Sequence, residues 1–153
     1  MANNITVSVQ VNATVEKVWQ LFMDPDTLQH WLTGFVSIAH LKGTIGQPGS
    51  KSRLEFLENG KKIEIIETVL SVRPLQQYTF LMQHTAFSAE VEVRFNPVGP
   101  MTEIVQSVTL APIGFFMKLL SPFIQTAMKK RMNSEMLRLK AYIEQSLQLQ
   151  QLQ

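Results

Sequence analysis

The strongest constraint on the fold is a period of two in the hydrophobic residues, which recurs from Ile5 to Leu110. In the most regular segment, Phe87 to Phe95, apolar residues alternate with Ser, Glu and Arg. Such alternation is typical of a β-strand that buries one face and exposes the other. The segments with strand signals are 5–11, 35–41, 52–57, 62–70, 78–84, 87–95 and 103–110. The chain is therefore predicted to contain seven strands that share one buried face.

Short turn signals join the later strands. Asn59-Gly60 is the strongest two-residue hairpin signal in the chain, and Arg73-Pro74, Asn96-Pro97 and Gly99-Pro100 mark further turns. Parallel neighbours would need crossover connections of a dozen or more residues, which these turns do not provide. The sheet is therefore predicted to be antiparallel.

Two short helices are predicted directly after the first strand. Thr14 is placed to cap the first helix, which would bury Val18 and Trp19 on one face. Asp24-Pro25 repeats the start signal, with an Asp cap followed by Pro at the first helical position, and Gly34 follows the second helix.

A long helix is predicted at the C-terminal end. Pro112 and Gly114 open this region, and Ser121-Pro122 either starts a new helix or kinks a continuous one. Apolar residues then recur at helical spacing as far as Ile143. At ~1.5 Å per residue, the segment 122–145 would span roughly 36 Å. It is the only predicted element long enough to cover the apolar face of the sheet, so the fold class is α+β.

Length and composition predict one domain. A chain of 153 residues buries enough surface for a core without covalent staples, and it contains no cysteine. Disulfides, thiolate chemistry and cysteine-based zinc sites are thereby excluded. Charged residues make up only 17% of the chain, which leaves more apolar surface to place than usual. We assign residues 1–147 to the domain and expect the Gln/Leu tail at 148–153 to fray.

Charge and hydropathy narrow the possible partners. The formal net charge of +2 and a pI near 9.0 are too small a bias to predict a nucleic-acid partner. The chain has neither a basic-then-apolar leader nor a run of ~20 apolar residues that would span a bilayer. We expect a soluble protein, cytoplasmic by default, of unknown oligomeric state.

The order of these elements and several local signatures resemble the START-like, polyketide-cyclase and birch-pollen-allergen superfamily, which has the helix-grip fold. The resemblance is strongest at Asn12–Trp19, where the first strand leads into a helix with Val-Trp on its buried face. It continues at Asp24-Pro25, at His30–Leu32, at the strand, Arg73-Pro74 turn and new strand of 69–78, and in the final helix. The resemblance implies a curved seven-stranded antiparallel sheet wrapped around the C-terminal helix, with a ligand cavity between them.

The resemblance does not imply a single function, because the superfamily includes lipid carriers, hormone and coenzyme-Q binders, aromatase/cyclases and chaperone activators. The first hypothesis is a module that binds a hydrophobic small molecule or lipid. An alternative is an enzyme of the cyclase or dehydratase type that uses an acid or base in the cavity. A third is a domain that binds a protein partner. We assign no catalytic residues, no metal ligands and no cofactor.

Candidate cavity residues are those in phase with the buried face of the predicted strands or of the final helix. They are Trp31, Ile65, Glu67, Tyr78, Phe80, Met82, His84, Phe87, Ala89, Val91, Val93, Gln106, Val108, Phe116, Leu120, Phe123, Ile124 and Met128. Methionine and aromatic residues at such positions either fill a solid core or line a cavity. Trp31 is interpreted chiefly as packing at the rim of the sheet, with a place at the cavity mouth as the alternative.

For two titratable candidates, Glu67 and His84, the sequence leaves the direction of the side chain undecided. Glu67 is in phase with Ile63, Ile65 and Val69, and an inward carboxyl in an apolar cavity would have a raised pKa. We favour the alternative, in which a β-bulge rotates Glu67 outward. His84 is in phase with Tyr78 and would face the cavity if the strand continued that far, although a lone histidine is more often a surface residue. Should Glu67 point inward, we expect Glu67, Tyr78, His84 and Gln106 to be the polar groups of the pocket.

Two further segments, the glycine-rich loop at 43–49 and the final helix, each have an ordinary structural interpretation and a functional alternative. Gly43 to Gly49 lacks the spacing and the following helix of a phosphate loop, so it is either a mobile loop near the entrance or a plain turn. The final helix is basic, which is typical of a solvated face; weak contact with an anionic membrane is the alternative, with Phe115, Phe116 and Met117 as its apolar edge. The basic residues are Lys118, Lys129, Lys130, Arg131, Arg138 and Lys140.

Overall fold

The structure is a computed structural model that describes residues 3–112 and 121–152. Its strands are β1 (Asn3–Val11), β2 (Phe35–Lys42), β3 (Lys51–Glu58), β4 (Lys61–Arg73), β5 (Gln77–Gln83), β6 (Phe87–Val98) and β7 (Met101–Pro112). Its helices are α1 (Val15–Met23), α2 (Leu28–Trp31) and α3 (Ser121–Gln151), and a single 3-10 turn at Pro25–Thr27 precedes α2. This order confirms the predicted α+β class.

The strands form one antiparallel sheet in the order β1-β7-β6-β5-β4-β3-β2. Every strand after β2 pairs with its predecessor along the chain, and β1 pairs with β7, where Ile5 lies opposite Val108. The sheet therefore brings the first and last strands together at one edge and leaves β2 at the other. The antiparallel arrangement predicted from the turn signals is confirmed.

Local signals in the sequence account for the ends of several elements. Thr14 caps α1 by accepting a hydrogen bond from the Lys17 amide at 3.4 Å, and Asp24 accepts one from the Asp26 amide at 2.9 Å. The β3–β4 hairpin turns through Asn59 and Gly60, at φ +50° and +78°. Positive φ at both central residues is the conformation that matches the twist of the flanking strands.

The core is divided into two groups of buried side chains. The larger group joins α1 and one face of α3 to the inner faces of β1, β6 and β7; α3 contributes Met132, Met136, Leu139 and Ile143. The smaller group consists of Leu54, Phe56 and Ile65 on β3 and β4. The long helix thus packs most closely on the β1 side of the sheet. This is the helix-grip arrangement expected from the resemblance.

Polar contacts fix the middle of α3 across the end of α2. Glu135 is buried and accepts a hydrogen bond from the Thr33 amide at 2.8 Å, while Arg138 Nε donates to the Trp31 carbonyl at 3.1 Å. Arg131 donates to the Thr33 carbonyl at 2.8 Å. These contacts satisfy backbone groups at the end of the short helix, which lack partners of their own.

Further contacts tie the C-terminal half of α3 to the end of β1. Lys140 Nζ donates to the Gln10 carbonyl at 2.9 Å, and the Asn12 amide donates to a Glu144 carboxylate oxygen at 2.8 Å. The helix continues to Gln151, past the boundary at residue 147 after which fraying is expected. Pro112, predicted to open the helical region, is instead the last residue of β7, because the strand continues to its pairing with Phe87. Gly114 and the continuity of the helix before Ser121 involve residues outside the described ranges.

Within residues 3–112 and 121–152, none of the helices combines the length and the apolar character that crossing a membrane requires.

Candidate functional site

A cavity of about 350 Å³ lies between the inner face of the sheet and the helices. Its walls come from α1, α2, α3 and all the strands except β1, together with the loop between β2 and β3. Most of its lining is apolar, and aromatic and methionine side chains contribute heavily. A volume of this size falls within the range of small-molecule sites. The cavity lies on the β3–β5 side of the sheet, away from the part that α3 packs most closely.

Most of the candidate cavity residues contact this space. Those on its wall are Trp31, Ile65, Glu67, Tyr78, Phe80, Met82, Phe87, Ala89, Val91, Gln106, Val108 and Met128. The inner residues of β4, β5, β6 and β7 converge here because the strands pair in a register that aligns their buried faces. Val69 lies opposite Phe80, Phe80 opposite Val91, and Val91 opposite Val108.

Four candidate residues, His84 among them, lie off the cavity wall. Val93 is buried in the larger part of the core, and Ile124 packs against that core without contacting the cavity. Phe123 is 75% exposed, which contradicts its predicted inward position. The inner line of α3 passes through Ile124, Met128 and Met132, so Phe123 is one position out of phase with it. The other two candidates, Phe116 and Leu120, lie outside the described residues.

His84 is not on the cavity wall, because the condition on which its inward position depended is not met. β5 ends at Gln83, so the period of two that placed His84 beside Tyr78 stops one residue too early. His84 Nδ1 accepts a hydrogen bond from the Ala86 amide at 3.1 Å, and its ring stacks on Phe87 with centroids 5.1 Å apart. These contacts make His84 part of the turn between β5 and β6.

Glu67 is on the cavity wall, and the outward orientation favoured from the sequence is wrong. A bulge does occur in β4, but it lies between Val69 and Ser71, after Glu67. From Lys61 to Thr68 the strand keeps an uninterrupted register with β3, in which Glu67 lies opposite Ser52. Glu67 therefore stays in phase with Ile65 and Val69 and faces inward with them.

Glu67 and Tyr78 form the principal polar pair on the wall. The Tyr78 hydroxyl donates a hydrogen bond to Glu67 Oε1 at 3.2 Å. Burial raises the pKa of the Glu67 carboxyl, and the hydrogen bond from Tyr78 offsets part of that effect. Burial also raises the pKa of the Tyr78 hydroxyl, and the neighbouring Glu67 acts in the same direction. The Tyr78 hydroxyl is therefore the donor of this pair, and burial acts in favour of the protonated form of Glu67.

Other polar groups reach the wall singly. Gln106, Ser50 and Ser52 contribute to it from β7, from the loop before β3 and from β3 itself. The indole Nε1 of Trp31 is buried and has no hydrogen-bond partner within residues 3–112 and 121–152. An unpaired buried donor costs about 1–3 kcal/mol, and this nitrogen has almost no surface exposed to the cavity.

A charged cluster at the cavity wall is internally compensated. Arg131 of α3 pairs with Glu58 at the end of β3 and with Glu135, whose carboxylate lies 3.4 Å from Arg131 Nε. All three side chains contact the cavity. Arg131 is the one basic residue on the described wall, and its donors are already directed at protein oxygens.

Several basic side chains of α3 are also engaged in contacts within the protein. Arg131, Arg138 and Lys140 donate to backbone or side-chain oxygens of the chain. Lys129 and Lys130 are exposed, and Lys118 lies outside the described residues. Among the described residues of α3, fewer cationic groups are therefore available to a partner than the composition of the helix indicates.

Several wall residues were missing from the sequence-based candidates. They are Phe22, Met23, Asp24, Pro25, Leu28, Leu32, Ile38, Ile45, Gly46, Ser50, Ser52, Leu54, Phe56, Glu58, Ile63, Val69, Arg131, Met132 and Glu135. Val69 and Ile63 share the phase of Glu67 and could have been included on that signal. Ile45 and Gly46 belong to the β2–β3 loop, for which periodicity gives no information.

No cluster of three or more His, Asp or Glu side chains suited to a metal ion occurs in the part of the chain that the structure describes. The three glutamates on the wall have different partners. Glu58 and Glu135 form ion pairs with Arg131, whereas Glu67 accepts a hydrogen bond from Tyr78.

A seven-stranded antiparallel sheet around a long C-terminal helix, with a hollow apolar interior, defines a START-like protein of the helix-grip class. The sequence from residue 3 to residue 144 matches the family described as polyketide cyclase / dehydrase and lipid transport. The chain therefore belongs to this family, and the resemblance inferred from the sequence is confirmed. A comparison with curated protein sequences gives no match.

Solved structures share the fold over nearly the whole chain. The aromatase/cyclase Zhui from Streptomyces sp. R1128 has 12% identity and a TM-score of 0.82, with 96% of each chain covered. TTHA0849 from Thermus thermophilus has 22% identity and a TM-score of 0.77, covering 94% of this chain and 99% of that one. A START superfamily protein from Mycobacterium smegmatis has 17% identity and a TM-score of 0.75, covering 93% and 97%. At these identities the likeness establishes the fold alone.

Proposed function

We propose that this protein binds a hydrophobic small molecule or lipid in its internal cavity. The observation that carries the proposal is the combination of about 350 Å³ of space with a wall made mainly of apolar side chains. Membership in a family described by cyclase, dehydrase and lipid transport activities supports it. Reversible binding of this kind is also what transport of such a molecule would require.

The affinity would come from the release of apolar surface from water. Each 100 Å² of apolar ligand surface that is buried contributes roughly 2.5 kcal/mol. Loss of translational and rotational freedom offsets part of this gain. An apolar cavity is poorly hydrated, so a guest displaces little bound water on entry. Dispersion contacts with Phe80, Phe87 and Met128 would add to the binding free energy.

The proposal is tested by reducing the volume of the cavity with substitutions on two of its strands. Ala89→Leu and Val108→Phe place larger side chains on the wall, while Glu90→Leu adds the same side chain as Ala89→Leu on the outer face of the same strand. Binding is followed by the fluorescence of the neutral probe N-phenylnaphthylamine, and folding by circular dichroism. We expect saturable binding to the wild type and to Glu90→Leu, and a loss of tenfold or more in both cavity variants.

Two results would count against the proposal. One is the absence of saturable binding to the wild type. The other is unchanged affinity in both folded cavity variants, which would place the probe elsewhere. Native mass spectrometry after exposure to a lipid and metabolite extract then gives the mass of any retained molecule.

One observation favours a second candidate, an enzyme of the cyclase or dehydratase type. Glu67 places a titratable group beside a tyrosine donor inside an apolar cavity, which is a setting for proton transfer next to a carbonyl group. The test is deuterium exchange at the carbon next to the carbonyl of a bound ketone, followed by NMR in heavy water. The enzyme hypothesis expects exchange above background with the wild type and none with Glu67→Gln, while ketone binding persists. Deuterium exchange no faster than background in the presence of the wild type would contradict the enzyme hypothesis.

A further inference from the structure

The carboxyl group of Glu67 has one oxygen engaged and one free. Oε1 accepts the hydrogen bond from the Tyr78 hydroxyl, whereas Oε2 has no hydrogen-bond partner within residues 3–112 and 121–152. Because Glu67 lies on the cavity wall, this second oxygen is available to a guest. An unpaired polar atom in an apolar site strongly favours a ligand that pairs with it.

The surroundings of Glu67 decide whether this oxygen donates or accepts. Lys51 and Arg53 of β3 lie opposite Thr68 and Ile66, whose side chains alternate with Glu67 and face away from the cavity. Arg131, the basic residue on the described wall, is engaged by Glu58 and Glu135. Among the residues that the structure describes, no free cation compensates an ionised Glu67, and burial disfavours the ionised form.

A neutral carboxyl fits the hydrogen bond that is present. Its carbonyl oxygen, Oε1, accepts from Tyr78, and its hydroxyl, on Oε2, is then a donor. Tyr78 polarises the group in the direction that strengthens this donor. Phe22 closes the wall beside this pair, with its ring centroid 6.1 Å from that of Tyr78 and 5.9 Å from that of Trp31.

We infer that the ligand is an uncharged, mainly apolar molecule with a carbonyl oxygen, and that this oxygen accepts a hydrogen bond from the Oε2 hydroxyl of Glu67. The inference rests on the proposed function and specifies the class of molecule that the cavity selects. The apolar wall supplies most of the affinity, and the Glu67–Tyr78 pair fixes the position of the carbonyl group.

The test compares three probes of nearly equal shape on the full-length protein. Acetylnaphthalene carries the carbonyl group, isopropenylnaphthalene replaces it with a carbon–carbon double bond, and naphthylethylamine replaces it with a cationic amine. Affinities are measured by calorimetry for the wild type and for Glu67→Gln and Glu67→Met. Glutamine keeps an acceptor for Tyr78 and a donor for the ligand, whereas methionine keeps the approximate shape but neither polar group.

The quantity of interest is the ratio of the affinities for the ketone and the alkene. Comparing this ratio between variants cancels the difference in aqueous solubility of the probes. We expect the ratio to fall about tenfold or more in Glu67→Met, as for loss of a buried hydrogen bond, and to be retained in Glu67→Gln. Alkene binding should be similar in all three proteins. Glu67→Leu replaces Glu67→Met if the methionine variant does not fold.

The outcomes separate this inference from the proposed function. An unchanged ratio in Glu67→Met, with all probes bound, would overturn the carbonyl assignment and leave the hydrophobic binding site intact. The amine as the tightest probe, with its affinity lost in Glu67→Gln, would show an ionised Glu67 and overturn the inference in the same way. Failure of all probes to bind the wild type would overturn both.

Discussion

At the scale of single residues, the environment of Glu67 affects both the chemistry of the cavity and the stability of the fold. It is a carboxyl group on an apolar wall, with Tyr78 as its hydrogen-bond donor and no free cation beside it among the described residues. Such a group binds its proton more tightly in the folded state than in the unfolded chain. The stability of the protein must therefore depend on pH through this residue.

Glu67→Gln is expected to make the stability less dependent on pH. Below about pH 4 the carboxyl is protonated in both states and contributes no pH dependence. Above pH 4.5, the ordinary pKa of a glutamate carboxyl from which burial raises it, the unfolded chain releases the proton while the folded protein keeps it. Wild-type stability should then fall by about 1.4 kcal/mol per pH unit until the raised pKa is passed. Urea unfolding at a series of pH values measures this loss.

Two variants serve as controls for that measurement. Glu64→Gln removes an exposed carboxyl on the outer face of the same strand and controls for the loss of one carboxyl group, so Glu67→Gln should change the pH dependence more than Glu64→Gln does. Tyr78→Phe removes the hydrogen bond that lowers the pKa of Glu67, so it should extend the falling limb to higher pH. Parallel curves for the wild type and Glu67→Gln would contradict the assignment.

At the scale of elements, the turn between α2 and β2 depends on the absence of a side chain at Gly34. Gly34 has φ of +72°, and a Cβ atom at this position would lie 2.5 Å from the backbone oxygen of Leu57. The Gly34 carbonyl also accepts a hydrogen bond from the Leu57 amide at 2.8 Å. The turn therefore lies directly against the end of β3. An added Cβ atom would meet backbone atoms, which cannot move aside as a flexible side chain could.

Gly34→Ala should destabilise the protein by about 3 kcal/mol. Part of this is the cost of a left-handed conformation for an L-residue, about 1–2 kcal/mol, and the rest is the clash with β3. Gly99→Ala is the matched control, because Gly99 has φ of +60° but nothing within 4 Å of its added Cβ. Chemical denaturation should give a loss near 1 kcal/mol for the control. Equal losses in the two variants would show that the contact with Leu57 relaxes without cost.

Elements with strong local signals could be predicted from the sequence. Thr14, Asp24 and Asn59-Gly60 each act through a few neighbouring atoms, so the residue types alone indicate the cap or turn. The position of His84 could not be predicted, because the end of β5 depends on its pairing with β4 and β6. Phe123 was misplaced because adjacent apolar residues on a helix do not reveal which of them faces the sheet.

At the scale of the whole molecule, the side chains leave a hollow because α3 packs against one side of the sheet more closely than the other. The larger core group fills the space beside β1, β6 and β7, and the smaller group lies on β3 and β4. The sequence could predict the covering helix and the part of the wall that β5, β6 and β7 contribute, since both follow from periodicity. It could not predict the volume, which depends on the separation of helix and sheet, or the wall contributed by the β2–β3 loop.

Ligand binding should stabilise the folded state by mass action. A probe such as acetylnaphthalene at about 100 times its Kd is expected to add roughly 2.7 kcal/mol to the free energy of unfolding. For a chain of this length that corresponds to an increase in Tm of about 5–10 °C. Differential scanning fluorimetry measures the increase in the wild type and in Val108→Phe. An equal increase in Val108→Phe would indicate that the probe binds outside the cavity.

The extra residue at Leu70 determines which side chains of β4 lie on the inner face of the sheet and which meet water. Before it, the odd-numbered residues through Val69 face the interior; after it, Val72 lies opposite Tyr78, so the even-numbered position takes that face. Without this change of phase, the same alternation would carry Arg73 inward and Val72 outward. A single inserted residue thus lets one long strand keep apolar side chains on its inner face on both sides of the bulge while its terminal cation stays in solvent.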